Sequence, residues 1–320
     1  MLDELFSRRL VILSGKGGVG KSVVGTALAL TARDRGKRVL FVEVDAPLPA
    51  ARYLGVKPPP PAPSSEPVEA LPGLFMVNLR PRDVMDEYVS STVRFDFLTR
   101  RVLESPVYHR FFAAAPGLPE LMTLGKIMVL EESRSGFSRR PTWDLIIVDA
   151  PATGHGLAFL KVPVAASRAV PVGPVGHNAR RILELLRDPR RTALCVVAIP
   201  EEMAVVEALE FRRMAAEEVD VQTRLLVLNE CHERRLTAAQ EAEVLALAKD
   251  EPEGRLAPGV GLQAALLAAR RHIRRRKLTE FYRKRLRRAA DVPLVSLPFL
   301  FEETLGRDSL ELLARRLEAA

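Results

Sequence analysis

Cysteine is scarce in this chain. Only Cys195 and Cys231 occur in 320 residues, too few for a disulfide framework or a four-thiolate zinc site. A reducing compartment is the simplest setting for such a chain. No apolar run approaches the roughly eighteen uninterrupted residues that a membrane span requires. The opening "MLDELFSRRLVILSGKGG" carries acids first and lacks a cleavage-type segment, so a cytoplasmic location is expected. Neither an internal repeat nor a second phosphate-loop motif is present, so a second nucleotide site would have to come from another chain.

What the chain does have is an ordinary globular balance, 48% hydrophobic and 28% charged residues, enough to bury a large core. Its net charge of +8 is concentrated in "AARRHIRRRKLTEFYRKRLRRAA", residues 268 to 290, which reads as one long helix. The helix is expected to pack through Ile273, Leu278, Phe281 and Leu286 and to leave its basic face in solvent. The basic surface leaves nucleic acid or anionic lipid open as partners.

Apolar segments without polar alternation recur at 10–14, 37–45, 143–150, 193–200, 224–230 and 292–298, with helical patterns between them. Such runs are expected of parallel strands covered on both faces. The predicted fold is therefore α/β, a doubly wound, mostly parallel sheet forming one domain over 1–320. Almost a hundred residues separate the second and third of these segments, too many for one crossover. They begin with a stiff linker, "KPPPPAPSSEP" at 57–67, and a further strand candidate at 74–80. Helical patterns at 82–104 and 119–134 then predict an inserted helical subdomain over 82–135. Met85, Met122 and Met128 fall in it, at spacings that fit core-facing helix positions, with an adaptable client-binding surface as the alternative reading.

The stretch "VILSGKGGVGKSVVGTALAL" satisfies two phosphate-binding codes. Gly15-x-Gly17-x-x-Gly20 after a strand is a dinucleotide fingerprint, with Glu43 or Asp45 available to hold a ribose. Gly15-x-x-x-x-Gly20-Lys21-Ser22 is a triphosphate loop. Only the second code explains why Lys21 and Ser22 open the helix, where an ammonium can neutralise phosphates and a hydroxyl can bind magnesium. A second apolar strand runs straight into Asp149, the place of the acid that accompanies the magnesium in phosphate-loop proteins. The two features together favour ATP with Mg2+ over a dinucleotide.

"GKGGVGKS" resembles the deviant phosphate loop of ATPases that dimerise around nucleotide. "DAPATGHGLAFLKVP", "APGLPELMTLGKI", "AIPEEMAVVEALEF", "VLNE" and "SLPFLFEE" are similar, in order, to segments of the arsenite-pump and guided-entry branch of that group. The resemblance implies that Gly17, Gly18, Val19, Gly20, Lys21, Ser22 and Val23 cradle phosphates, and that Ser22 and Asp149 serve the metal. It further implies that Lys16 crosses to a partner's ATP, that Asp45 orients the attacking water, and that Thr153 to His155 move with the γ-phosphate. Asn229, Pro298 and Phe299 would frame adenine. A homodimer coupled to an unknown client or membrane protein is implied as well.

The chain also departs from that branch. A proline follows two residues after Asp45, no Cys-x-x-Cys stands near 251–272, and two dispersed cysteines cannot supply three thiols. Neither a zinc clasp nor an arsenite site is therefore expected. Cys231-His232 lacks supporting metal ligands, and the stripe Leu310, Leu313, Leu317 reads as a closing helix on the sheet. Two other readings stay open: a positioning ATPase that binds nucleic acid or membrane through its basic helix, and a nucleotide-binding scaffold with little hydrolysis.

Overall fold

The computed structural model describes residues 1–46, 49–58, 65–92, 100–101, 103–106, 115–136, 139–247 and 261–320. Parts of the 57–67 linker and of the 82–135 stretch lie outside the described residues. In chain order the elements are α1 (Leu2–Phe6), β1 (Leu10–Ser14), α2 (Lys21–Asp34), β2 (Val39–Val44) and α3 (Pro49–Leu54). There follow β3 (Val68–Leu71), β4 (Leu74–Leu79), α4 (Pro81–Thr92), α5 (Leu118–Glu132), β5 (Leu145–Asp149), α6 (Thr153–Ala169) and α7 (Gly173–Arg187). The chain continues with β6 (Thr192–Ala198), α8 (Glu202–Met214), a π-turn (Ala215–Val219), β7 (Thr223–Cys231), α9 (Ala238–Leu247), α10 (Gly261–Ala289), β8 (Leu294–Pro298) and α11 (Arg307–Glu318).

The main sheet runs β8-β7-β6-β1-β5-β2-β4-β3 and is parallel except where β3 pairs antiparallel with β4. Each central strand buries alternate side chains on opposite faces. Leu10 and Ile12 join α5, α6, α7 and α8, whereas Val11 and Leu13 join α1, α2, α3 and α11. Because both faces are covered, β1 and β5 are buried at every position, which is why their sequences show no polar alternation.

The doubly wound sheet is thus observed, and every predicted strand is present within two residues of its expected ends. The closing helix is observed too, with Leu310, Leu313 and Leu317 almost wholly buried. Several elements differ from expectation, among them a small antiparallel hairpin of Arg134–Ser135 with Arg140–Pro141 that the sequence pattern does not predict. The long basic helix begins at Gly261 rather than 268, since "GLQAALLAAR" consists largely of good helix formers. The edge strand β3 was not predicted; four residues with an exposed face carry little periodic signal. Helices α4 and α5 add Val84, Leu121, Leu124, Ile127 and Met128 to the same core as the sheet.

Candidate functional site

β1 lies between β5 and β6, so its carboxyl end opens at the sheet's topological switch point, where open α/β sheets bind ligands. The loop of residues 15–20 connects this end to α2. Glycine is enforced at two of its positions by the protein itself. A Cβ on Gly15 would stand 2.2 Å from the Val197 carbonyl oxygen. On Gly20, whose φ is +83°, it would stand 2.4 Å from Asn229 Nδ2. At Gly17 and Gly18 an added Cβ meets nothing, so the open space there faces outward, as a phosphate cradle requires. The α2 amino end adds unpaired N–H groups and a positive dipole end to the same space.

Lys21 arches back over the loop, donating to the carbonyls of Gly15 (3.1 Å) and Lys16 (3.2 Å). Burial pushes its ammonium below the ordinary lysine range, while Asp149 opposes that shift. Ser22 Oγ donates to Asp149 Oδ2 at 2.5 Å, joining the two motifs that the sequence places 127 residues apart. Asp149 is 7% exposed and its carboxyl lies above the usual range because of desolvation, opposed by Ser22 and Lys21. Its Oδ1 is buried and has no hydrogen-bond partner among the described residues. A buried carboxylate oxygen left bare beside a hydroxyl is a hard-oxygen donor pair of the kind that divalent magnesium takes, so the residues present fit the ion.

A neighbouring acid belongs to the same edge. Glu43 on β2 lies in register between Asn78 on β4 and Asp149 on β5, forming a polar row across three strands. It is fully buried, and burial first, then Asp149, lift its carboxyl to about 7 against the opposing Ala50 bond. Glu43 Oε1 accepts from Ala50 N at 3.2 Å, and Oε2 has no partner among the described residues. Asn78 donates to the Ala46 carbonyl at 2.8 Å and accepts from its N–H. The row therefore fixes the backbone on both sides of Pro47 and Leu48, next to Asp45. The signal is readable in the sequence as a charged residue inside an apolar strand, two residues before Asp45.

Asp45 itself is exposed at the tip of β2 with φ +47°, a left-handed conformation that aspartate tolerates better than most residues. Lys16 does not point at the cradle. Its ammonium pairs with Glu207 of α8 at 2.9 Å. Asn229 donates to the Val19 carbonyl at 3.1 Å, bracing the loop from β7, and Val19 and Val23 are buried beneath it. Pro298 lies in register with Cys231, which places Phe299 beside the end of β7. Phe299 stacks on His232 with ring centres 4.9 Å apart and planes within 13°. Burial and nearby cations drive His232 down to about 4, so it is neutral there.

Thr153, Gly154 and His155 form the first turn of α6. A Cβ on Gly156 would stand 2.9 Å from Ser14 Oγ, so this turn is pressed against the end of β1. The structure thus gathers the loop, Asp149, Asp45, Asn229, Pro298 and Phe299 along one edge of the sheet and turns Lys16 aside. Cys195 and Cys231 are both buried, with thiols raised to about 12 and about 11 by desolvation.

The anion-transporting ATPase family profile matches residues 8–172, from before the loop to beyond Asp149. ATPase BagA of Mycobacterium tuberculosis is 32% identical over 212 residues, covering 65% of this chain and 61% of that protein. An arsenical pump-driving ATPase of Acidiphilium multivorum is 27% identical over 235 residues, covering 68% of this chain and 39% of that protein. ATPase GET3 of Podospora anserina is 22% identical over 350 aligned positions, covering 97% and 90%. With the phosphate loop, its distal aspartate and the switch-point geometry falling inside the matched half, this chain belongs to the anion-transporting ATPase family.

Proposed function

We propose that this protein binds ATP with magnesium at the switch-point edge and hydrolyses it. The observation that carries the reading is the Ser22–Asp149 contact directly below a loop whose Lys21 is parked on two loop carbonyls. Lys21 has only to leave those carbonyls to meet the β- and γ-phosphates. Ser22 and Asp149 would hold magnesium, which when bound neutralises phosphate charge. Asp45, at a tip held by the Asn78–Glu43 row, would orient water for in-line attack. Asn229 would steady the loop and meet the base together with Pro298 and Phe299. Little covalent work falls to the protein, so positioning and charge supply the acceleration.

The active form in this reading is a homodimer in which Lys16 leaves Glu207 and reaches the second nucleotide, adding positive charge as transfer proceeds. The stretch 82–135 would be the output lobe, read by a client or membrane partner in the cytoplasm. Support for coupling lies in Gly117, at the start of α5, whose added Cβ would stand 3.3 Å from Val162 of α6. Movement at Thr153 would therefore reach α5. Phosphate release from ATP and magnesium tests the proposal. Wild type should turn over, Lys21→Ala should lose activity by about a hundredfold or more, and Asp45→Asn should retain nucleotide while losing turnover. Equal turnover in Lys21→Ala would overturn the hydrolase reading; negligible wild-type turnover with tight binding would leave a nucleotide-binding scaffold.

A further inference from the structure

The charge of this molecule is not spread over it. Helix α10 holds eleven basic residues and one acid, and the remainder of the chain has more acids than bases. The one acid is spent internally: Glu280 pairs with Arg276, which is 4% exposed and also pairs with Glu241 of α9 at 2.8 Å. The inner face of α10 is settled by Ile273, Thr279, Tyr282 and Leu286, all buried. Its outer face repeats at three- and four-residue spacing through Lys277, Leu278, Phe281, Lys284, Arg285 and Arg288. Of the four residues expected to pack the helix, only Ile273 and Leu286 do so; Phe281 is 58% exposed and Leu278 is 47% exposed on the outer face.

We infer that the outer face of α10 is a docking surface for an anionic lipid bilayer, with Phe281 and Leu278 entering the headgroup region between basic side chains. The geometry is that of an interfacial helix, about 43 Å long, with apolar anchors amid cations. It differs in having its inner face already committed to the protein, so it can lie on a membrane without detaching. Charge complementarity alone would also suit nucleic acid. The exposed leucine distinguishes the two partners, because an aliphatic side chain gains from a hydrocarbon boundary and offers no ring on which a base can stack. This inference stands apart from the ATPase reading, since α10 contributes no residue to the phosphate loop or to the Asp149 contact.

The test is flotation of the full chain with phosphatidylcholine vesicles, with and without about one third phosphatidylglycerol. The expected result is recovery with the anionic vesicles only, reduced about tenfold in Leu278→Ser/Phe281→Ser. Both positions are outside the core, so that variant should unfold at the wild-type temperature. A second variant, Lys277→Gln/Lys284→Gln/Arg288→Gln, should lose recovery while keeping its apolar anchors. Equal recovery of the wild type and the serine variant would overturn the inference. So would absence of vesicle binding, whether alone or with tight, salt-sensitive binding to duplex DNA that the serine variant retains.

Discussion

Two buried carboxylate clusters lie at opposite edges of the same sheet, and only one is satisfied. At the amino-terminal edge Glu131 is fully buried, with Arg9 at 3.3 Å from Oε1 and Arg191 bonded to Oε2. At the carboxyl edge Glu43 Oε2, Asp149 Oδ1 and Ser14 Oγ are buried and have no hydrogen-bond partner among the described residues. A buried charge that meets cations from two strand starts ties the fold together. Buried oxygens that meet nothing raise the energy of the ligand-free state. The first arrangement is architectural; the second suits an incoming cation and nucleotide.

Removing the architectural cluster should give the largest effect on stability. Glu131→Ala leaves Arg9 and Arg191 facing an uncompensated site and should cost about 3–5 kcal/mol. Urea unfolding measures that cost, and nucleotide affinity per folded molecule should not change. A loss below about 1 kcal/mol would erase the contrast between the two edges.

Glu43→Gln should act in the opposite sense. With its carboxyl raised to about 7, the native state of the ligand-free protein holds a proton that the unfolded chain releases near its ordinary value. That contribution is full at low pH and is lost as pH rises through the folded value. The wild type should therefore lose up to about 3 kcal/mol between about pH 4.5 and about pH 7.5 through this group. Glu43→Gln should flatten that part of the profile. Thermal unfolding across the range checks it, and an unchanged slope would mean that Glu43 is already satisfied.

Glu207→Gln should give the smallest stability change, within about 0.5 kcal/mol, because the Lys16–Glu207 pair is partly exposed. Its effect should appear in assembly, as easier ATP-dependent dimerisation measured by mass in solution. A dimer that forms no more readily than in the wild type would mean that Glu207 does not restrain Lys16.

The strand positions and the phosphate loop were legible because both rest on local signals, uninterrupted apolar runs and glycines followed by Lys21-Ser22, whereas the order of the strands in the sheet comes from the structure. The meeting of Ser22 with Asp149 was legible as an analogy between motifs, and the parallel register of β1 and β5 supplies the geometry. The place of Glu43 is not legible in the sequence, because its environment depends on Asn78 and Asp149, which reach it only through pairing of three strands. The Lys16–Glu207 contact was invisible for the same reason. No local pattern in α8 marks Glu207 as the residue that faces the loop. Asn229 was read for a base, whereas its bond to Val19 depends on the crossover that brings β7 beside the loop.

Titration calorimetry with a non-hydrolysable ATP analogue, with magnesium and with a chelator, on wild type and Asp149→Asn, tests the central claim most directly. The account expects wild-type binding that tightens with magnesium, and an Asp149→Asn variant that binds the analogue with little response to the ion. Binding that ignores magnesium in the wild type, or no binding at all, would contradict the assignment of Asp149 to a metal and its nucleotide.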